Sequence, residues 1–260
     1  NTVPIGAYRG AGKPEYLHLV ERLVDEAARD LEVDPAELRR RNLIDPQELP
    51  YTTPTGLIYD SGDFEDSMTQ ALELMTRESF ESRRADALHH GQLLGFGFSV
   101  YTEPDGFMDN RVTMAFQPDG QLTVTTTAQC IGQGVETTLG QIATTLLGVP
   151  ADGVTLLQGD TDIIGPGSGT GGSRVTTVSG AAMFQCAETL IDEGRDLAAS
   201  MLEVAPVDIE FSNGRFVVAG TDRSVFIQDL ARSTFRDETN ATTLTSECHY
   251  KAAAYSYPNG

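Results

Sequence analysis

The fold class is decided by Arg111-Val112-Thr113-Met114-Ala115-Phe116-Gln117-Pro118-Asp119-Gly120-Gln121-Leu122-Thr123-Val124-Thr125-Thr126. Val112, Met114 and Phe116 recur at every second position, the period of a strand with one buried face. Pro118-Asp119-Gly120 is turn chemistry. Leu122, Val124 and Thr126 then resume the same period, so the stretch predicts an antiparallel hairpin.

Downstream, residues 135–147 read as a helix and Val154-Thr155-Leu156-Leu157 as a short strand. A Gly-rich loop is expected over 159–173, then a long helix from about Thr176 to Leu202. Asn213-Gly214, between Asp208–Phe211 and Arg215–Val218, is the strongest short hairpin signal in the chain. A helix is expected at 224–232, and Tyr255–Gly260 has strand-like composition.

Upstream, Phe96, Phe98, Val100 and Tyr101 read as a strand. Before them the pattern is helical. Leu17, Val20, Leu23, Val24, Ala27, Ala28 and Leu31 recur at three- and four-residue steps over 14–31, behind Pro14. Asp34, Pro35 and Glu37 form a capping-box entry to a second helix, followed by the basic run Arg39-Arg40-Arg41. Such a run is a solvated face or a set of ion pairs. Residues 45–62 read as a loop, Asp63 opens a third helix, and 77–91 read as a helix end or linker. The expectation is α+β, mixed sheets with packed helices: a helical segment over 1–90 and a sheet-and-helix unit over 91–260.

Composition narrows the function. The net charge is -20, and such a surface repels phosphate backbones and anionic membranes. No segment approaches the roughly 18 apolar residues of a membrane span, and residues 1–20 lack a secretory signal. Lysine occurs only at Lys13 and Lys251, a bias that salt adaptation or a skewed genome would each produce. Cys130, Cys186 and Cys248 are odd in number and far apart, so a zinc or iron–sulfur site from this chain alone is not expected. Reduced thiols and a cytoplasmic location are the default reading.

Three segments carry the chemistry of ligand binding. Gly6-Ala7-Tyr8-Arg9-Gly10-Ala11-Gly12-Lys13-Pro14 precedes a helix and offers flexible backbone plus a guanidinium fork. It fails the P-loop pattern, because Ala7 and Pro14 stand where Gly and Ser/Thr are needed. A plain turn into a helix explains it as well. Gly132-Gln133-Gly134 can present backbone N–H groups and one amide donor to an oxygen ligand. Gly159-Asp160-Thr161-Asp162 and Gly165-Pro166-Gly167-Ser168-Gly169-Thr170-Gly171-Gly172-Ser173-Arg174 form either a cradle feeding a helix or a flexible linker. No convincing acid–base set accompanies them: His18, His89, His90 and His249 are scattered.

Taken in order, these segments resemble the molybdopterin-binding subunit of the xanthine dehydrogenase/aldehyde oxidase family. Ala7-Tyr8-Arg9-Gly10-Ala11-Gly12 is similar to its A-[FY]-R-G-x-G segment, and Asp34–Asn42 to its D-P-x-E-[LV]-R-x-x-N helix. Tyr59-Asp60-Ser61-Gly62-Asp63 resembles its Y-D-S-G-[DN] turn, and Gly132–Thr137 its G-Q-G-H-E-T. Gly159-Asp160-Thr161 and Gly172-Ser173-Arg174 resemble its G-[DN]-T and G-S-R elements, and Tyr257-Pro258-Asn259-Gly260 the start of its next strand.

The resemblance implies the central part of a molybdenum-cofactor-binding domain. It places 1–90 in the first molybdopterin-binding subdomain and 91–260 in an incomplete second one. It implies that Arg9, Gly132, Gln133, Gly134, Thr170, Gly171, Gly172 and Ser173 contact molybdopterin, in its cytosine dinucleotide form. Ala11, Phe98 and Ser99 would line the substrate pocket. Ala11 stands where the family often holds a Phe against an aromatic substrate, which puts a flat purine in doubt. Gly10 stands where copper-containing carbon monoxide dehydrogenases hold Cys, and Val135 replaces the usual His. The implied reaction is hydroxylation of an aldehyde or N-heterocycle, with electrons leaving through iron–sulfur clusters and FAD on partner subunits. The family's G-x-G-E-P segment with its catalytic Glu, and its G-G-G-F-G loop, do not occur. The expectation is therefore a piece of a larger subunit, with no catalytic residue of its own and inactive alone. The alternatives are a non-catalytic scaffold and an unrelated nucleotide-binding enzyme.

Overall fold

A computed structural model describes residues 6–235 and 243–257. The chain divides into two compact units, residues 1–104 with 256–260, and residues 105–255.

The first unit is helical. α1 (Lys13–Asp30) is followed by α2 (Pro35–Arg40). The Asp34 carboxylate accepts the N–H groups of Ala36 and Glu37, as a cap should. The reciprocal half of the capping box does not form, because the Glu37 carboxylate is taken by Arg40 and Arg41. Those two contacts, Arg41 first, hold Glu37 below the ordinary carboxylate range. The basic run splits. Arg41 is exposed, but Arg39 is 5% exposed and binds the Glu21 and Asp25 carboxylates at 2.9 and 3.0 Å.

The expected loop over 45–62 contains a small hairpin of β1 (Tyr51–Thr52) and β2 (Ile58–Tyr59). α3 (Phe64–Leu74) starts at the Asp63 cap, and α4 (Phe80–His89), a separate helix, occupies the stretch read as a helix end or linker. The strand expected at Phe96–Tyr101 is a correction: that segment joins no ladder and has no regular secondary structure. Its Val100 N–H goes to the Glu21 carboxylate, and Phe96 and Phe98 pack beneath Arg77 and Arg39. Alternation reports which side chains are covered, and here a guanidinium covers them instead of a neighbouring sheet.

The second unit holds the main sheet. β3 (Asp109–Phe116) and β4 (Leu122–Thr126) form the expected hairpin, with Met114 opposite Val124 and Phe116 opposite Leu122. α5 (Val135–Leu147) leads to β5 (Val154–Leu157), which pairs parallel with β4. α6 (Gly180–Leu202) is entered through one π-helical turn, Val175–Ser179, where a plain helix was expected. β6 (Ile209–Ser212) and β7 (Arg215–Val218) turn at Asn213-Gly214, both with positive φ. The expected helix at 224–232 is shorter: β8 (Ser224–Phe226) extends that sheet, and α7 (Ile227–Thr234) follows. β9 (Thr245–Lys251), unforeseen from sequence, pairs antiparallel with β3 and completes the order β5-β4-β3-β9. Pro258–Gly260, part of the expected final strand, lie outside the described residues.

Val112, Met114, Leu122 and Val124 on the sheet, Leu139 and Ala143 on α5, and Met183, Cys186 and Leu190 on α6 are all fully buried in one core. Covering such side chains contributes roughly 1.5–3 kcal/mol each. That buried face fixes the register, since a one-residue slip would expose it.

Candidate cofactor cradle

The sheet explains why the glycine loops meet. β4 and β5 are parallel neighbours, so the segments leaving their C-terminal ends emerge side by side. In α/β sheets such ends are where ligands bind. The first segment, 127–134, enters α5; the second, 158–174, enters the π turn and α6.

Side chains tie the two together. Thr170 Oγ1 accepts the Gln129 N–H and donates to the Gln129 carbonyl, both at 2.7 Å. Gln158 Oε1 accepts the Cys130 N–H at 2.5 Å, and Gln158 Nε2 donates to Glu136 at 3.0 Å. Between the segments lies a cavity of about 350 Å³, lined among others by Thr127, Gln129, Asp160, Gly165, Gly167 and Gly169. Asp160 is the one charged side chain of that lining.

The loop is built, not slack. Arg174 is 2% exposed, and its guanidinium donates to the carbonyls of Ser168 and Gly169. Burial pushes its pKa down, although a guanidinium remains charged. Arg174 Nη1 also meets Met108 Sδ at 2.8 Å, and the guanidinium lies 5.8 Å from the Phe107 ring centre. Gly172 has φ +61°, and a Cβ there would overlap the Phe107 ring. Gly165 and Gly171 differ. Each has ordinary φ, and a Cβ would enter open space. Neither backbone strain nor packing requires glycine at these two positions. A ligand lying against the backbone would.

At the other wall, α5 begins at Gly134 with no side-chain cap. Its amides find the Cys130 thiol instead. The N–H groups of Gly132, then Val135 and Gly134, hold the Cys130 pKa below its usual value against opposing desolvation. Gln133 was expected to point at a ligand. Its amide stiffens its own turn, Oε1 accepting Ile131 N–H at 2.6 Å and Nε2 donating to the Gln129 carbonyl at 3.1 Å. One Nε2 hydrogen remains to donate elsewhere.

Of the expected site residues, Gly132, Gln133, Gly134, Thr170, Gly171, Gly172 and Ser173 therefore fall on two tethered loops of one unit. Arg9, Ala11, Phe98 and Ser99 belong to the other unit. Arg9 and Ala11 are exposed in the turn before α1, where Ala11 adopts φ 48°. Phe98 is half-buried with the Arg39 guanidinium 4.6 Å from its ring centre, and Ser99 is exposed. Sequence reasoning missed Gln129, Gln158 and Asp109, which make the tethers with Thr170 and Ser168. Among the described residues no group of three His, Cys, Asp or Glu is placed to hold a metal ion. The cradle fits a hydrogen-bonding ring system such as a pterin: Gly165 and Gly171 leave space beside the backbone, and Thr127, Gln129 and Thr161 bring hydroxyl and amide groups to the lining.

Comparison with known proteins agrees with that chemistry. Two molybdopterin cofactor-binding domain models match, one over residues 70–260 and one over 1–43. The chain is 31% identical over its whole length to the 6-hydroxypseudooxynicotine dehydrogenase complex subunit gamma of Paenarthrobacter nicotinovorans, covering 34% of that protein. It is 35% identical over 85% of its length to the carbon monoxide dehydrogenase large chain of Hydrogenophaga pseudoflava, covering 30% of it. Among solved structures, quinoline 2-oxidoreductase from Pseudomonas putida 86 superposes with a TM-score of 0.85 at 31% identity, over 98% of this chain and 35% of that one. The chain thus spans about a third of the length of the relatives it matches. With the cradle's geometry and a domain match over most of its residues, the chain belongs to the molybdopterin cofactor-binding domain family, and its relatives include a nicotine 6-hydroxylase large subunit and a carbon monoxide dehydrogenase large chain.

Proposed function

We propose that this chain contributes the pterin cradle of a molybdenum hydroxylase acting on an aldehyde or N-heterocycle. The observation that carries the reading is the pair of glycine loops tethered by Thr170 around an almost uncharged cavity, with Gly165 and Gly171 open to a ligand. Gly132, Gln133, Gly134, Thr170, Gly171, Gly172 and Ser173 are the proposed cofactor contacts of the second unit, and Arg9 that of the first. Ala11, Phe98 and Ser99 are proposed for the substrate side. Residues 1–90 are assigned to the first molybdopterin-binding subdomain and 91–260 to the second.

When bound, the cofactor supplies the redox chemistry. The chain's own residues bind and orient it. The cytosine dinucleotide form, iron–sulfur and FAD partner subunits, and a cytoplasmic location belong to the same proposal. The multi-subunit names of relatives support the partners. No described helix is long and apolar enough to cross a membrane. The nucleotide-enzyme reading is disfavoured by the molybdopterin cofactor-binding domain match over residues 70–260.

The test is expression of the full-length subunit with its partners, followed by elemental analysis for molybdenum. Stoichiometric metal with hydroxylase activity supports the reading. Active but metal-free protein overturns it. Metal-free, inactive but assembled protein would favour a scaffold.

A further inference from the structure

We propose that Asp109 is the positioning residue of the cofactor loop, acting through Ser168. The inference rests on the cradle reading above. Asp109 opens β3, where the sheet holds it through the register pair with Lys251. One carboxylate oxygen accepts the Ser168 hydroxyl at 2.7 Å; the other meets His249 Nε2 at 2.5 Å.

Ser168 stands in the middle of the glycine loop, between Gly167 and Gly169, both of which line the cavity. The loop has no apolar anchor at Gly165, Gly169 or Gly171, where a Cβ would meet nothing. Such a segment loses much conformational entropy on ordering, so its shape depends on a few strong tethers. Three exist. Thr170 ties the far side to Gln129, Arg174 takes the Ser168 and Gly169 carbonyls, and Asp109 takes the Ser168 side chain. The Asp109 tether is a hydrogen bond to an ionised carboxylate, stronger than a neutral one. Its carboxyl lies below the ordinary carboxylate range, held there first by Ser168 and then by His249. His249 occupies the second oxygen and leaves the first for Ser168, so the carboxylate has one orientation to offer. Releasing Ser168 would free the Gly167–Gly169 backbone that lines the cavity while leaving the sheet intact.

The experiment uses the full-length subunit in its complex, with Asp109→Ala, Asp109→Asn, Ser168→Ala and the double Ala variant. Hydrogen exchange of amides 165–172 is read against amides 112–116 of the β3–β4 ladder, and pterin content is read by fluorescence after oxidation. Asp109→Ala and Ser168→Ala should each speed loop exchange about tenfold, with the ladder unchanged. The double variant should add nothing further, and Asp109→Asn, which keeps an acceptor oxygen, should restore most protection. Pterin content should fall in the same order. Unchanged loop exchange, or additive effects in the double variant, overturns the proposal. Faster loop exchange with full pterin content keeps the tether and overturns the cradle reading of this loop. Should Asp109→Ala disturb the ladder, Ser168→Ala, which lies outside it, decides by the same criteria.

Discussion

A single hydroxyl joins the two glycine loops: Thr170 Oγ1 accepts from Gln129 N and donates to Gln129 O, each at 2.7 Å. Forty-one residues separate the partners, yet they satisfy each other as two strands of a ladder would. The bond ties the two loops into one object.

Replacing Thr170 by Val keeps the shape and removes both bonds. The expected cost is about 1–2 kcal/mol of stability, since a typical intramolecular hydrogen bond contributes roughly 0.5–1.5 kcal/mol net. Urea unfolding followed by circular dichroism measures it. A midpoint equal to wild type would show that the loops hold together without this tether.

Adjacent glycines should respond differently. Gly172→Ala places a Cβ in the Phe107 ring at a positive φ, so it should lower stability by about 2 kcal/mol or more through strain and overpacking. Gly171→Ala enters open space at ordinary φ and should change stability by less than about 0.5 kcal/mol. It should nevertheless reduce molybdenum and pterin content in the full-length protein. Thermal melts alongside metal analysis separate the two. Full cofactor content in Gly171→Ala would remove that position from the cradle.

In the helical unit, Arg39→Ala strips the buried partner from Glu21 and Asp25 and the cover from Phe98. Removing one member of a buried ion pair typically costs about 3–5 kcal/mol. Arg39→Lys keeps the charge but loses the fork, and should recover only part of that loss. Chemical denaturation of all three proteins tests the ranking. Equal stability of the Lys and Arg forms would show that charge alone suffices.

Two thiols should titrate in opposite directions. Cys130, exposed and solvated by the Gly132, Val135 and Gly134 amides, should alkylate with a pH midpoint below the ordinary thiol value of about 8.5. Cys186 is buried, and desolvation, then contact with Cys248, pushes its pKa up to about 12. Folding raises that pKa. Its contribution to stability is therefore complete below the unfolded thiol value and is lost as pH climbs from there towards about 12. Iodoacetamide labelling read by mass spectrometry should modify Cys130 first and Cys186 only as the protein unfolds. Early labelling of Cys186 would contradict its placement under β3 and β9.

Elements with a local signal were legible. The β3–β4 hairpin, α5, β5 and the Asn213-Gly214 turn follow from periodicity and turn chemistry within a few residues. β9 was not, because its inward residues are Ser246, Cys248 and Tyr250, and pairing with β3 makes it a strand. Phe96–Tyr101 failed in the opposite sense, alternating like a strand but lying beneath Arg39 and Arg77 without a ladder partner.

The same division holds for the site. Glycine patterning and the motif resemblance singled out the two loops that the fold ties together, since backbone freedom is a property of each residue alone. Which side chains hold those loops in place was a tertiary decision. Thr170, Gln158, Asp109 and Arg174 are ordinary polar residues in the sequence, and they acquire their roles because parallel β4 and β5 deliver two distant segments to one edge. Hydrogen bonds require a partner within about 3 Å, and for these residues the folded sheet supplies it.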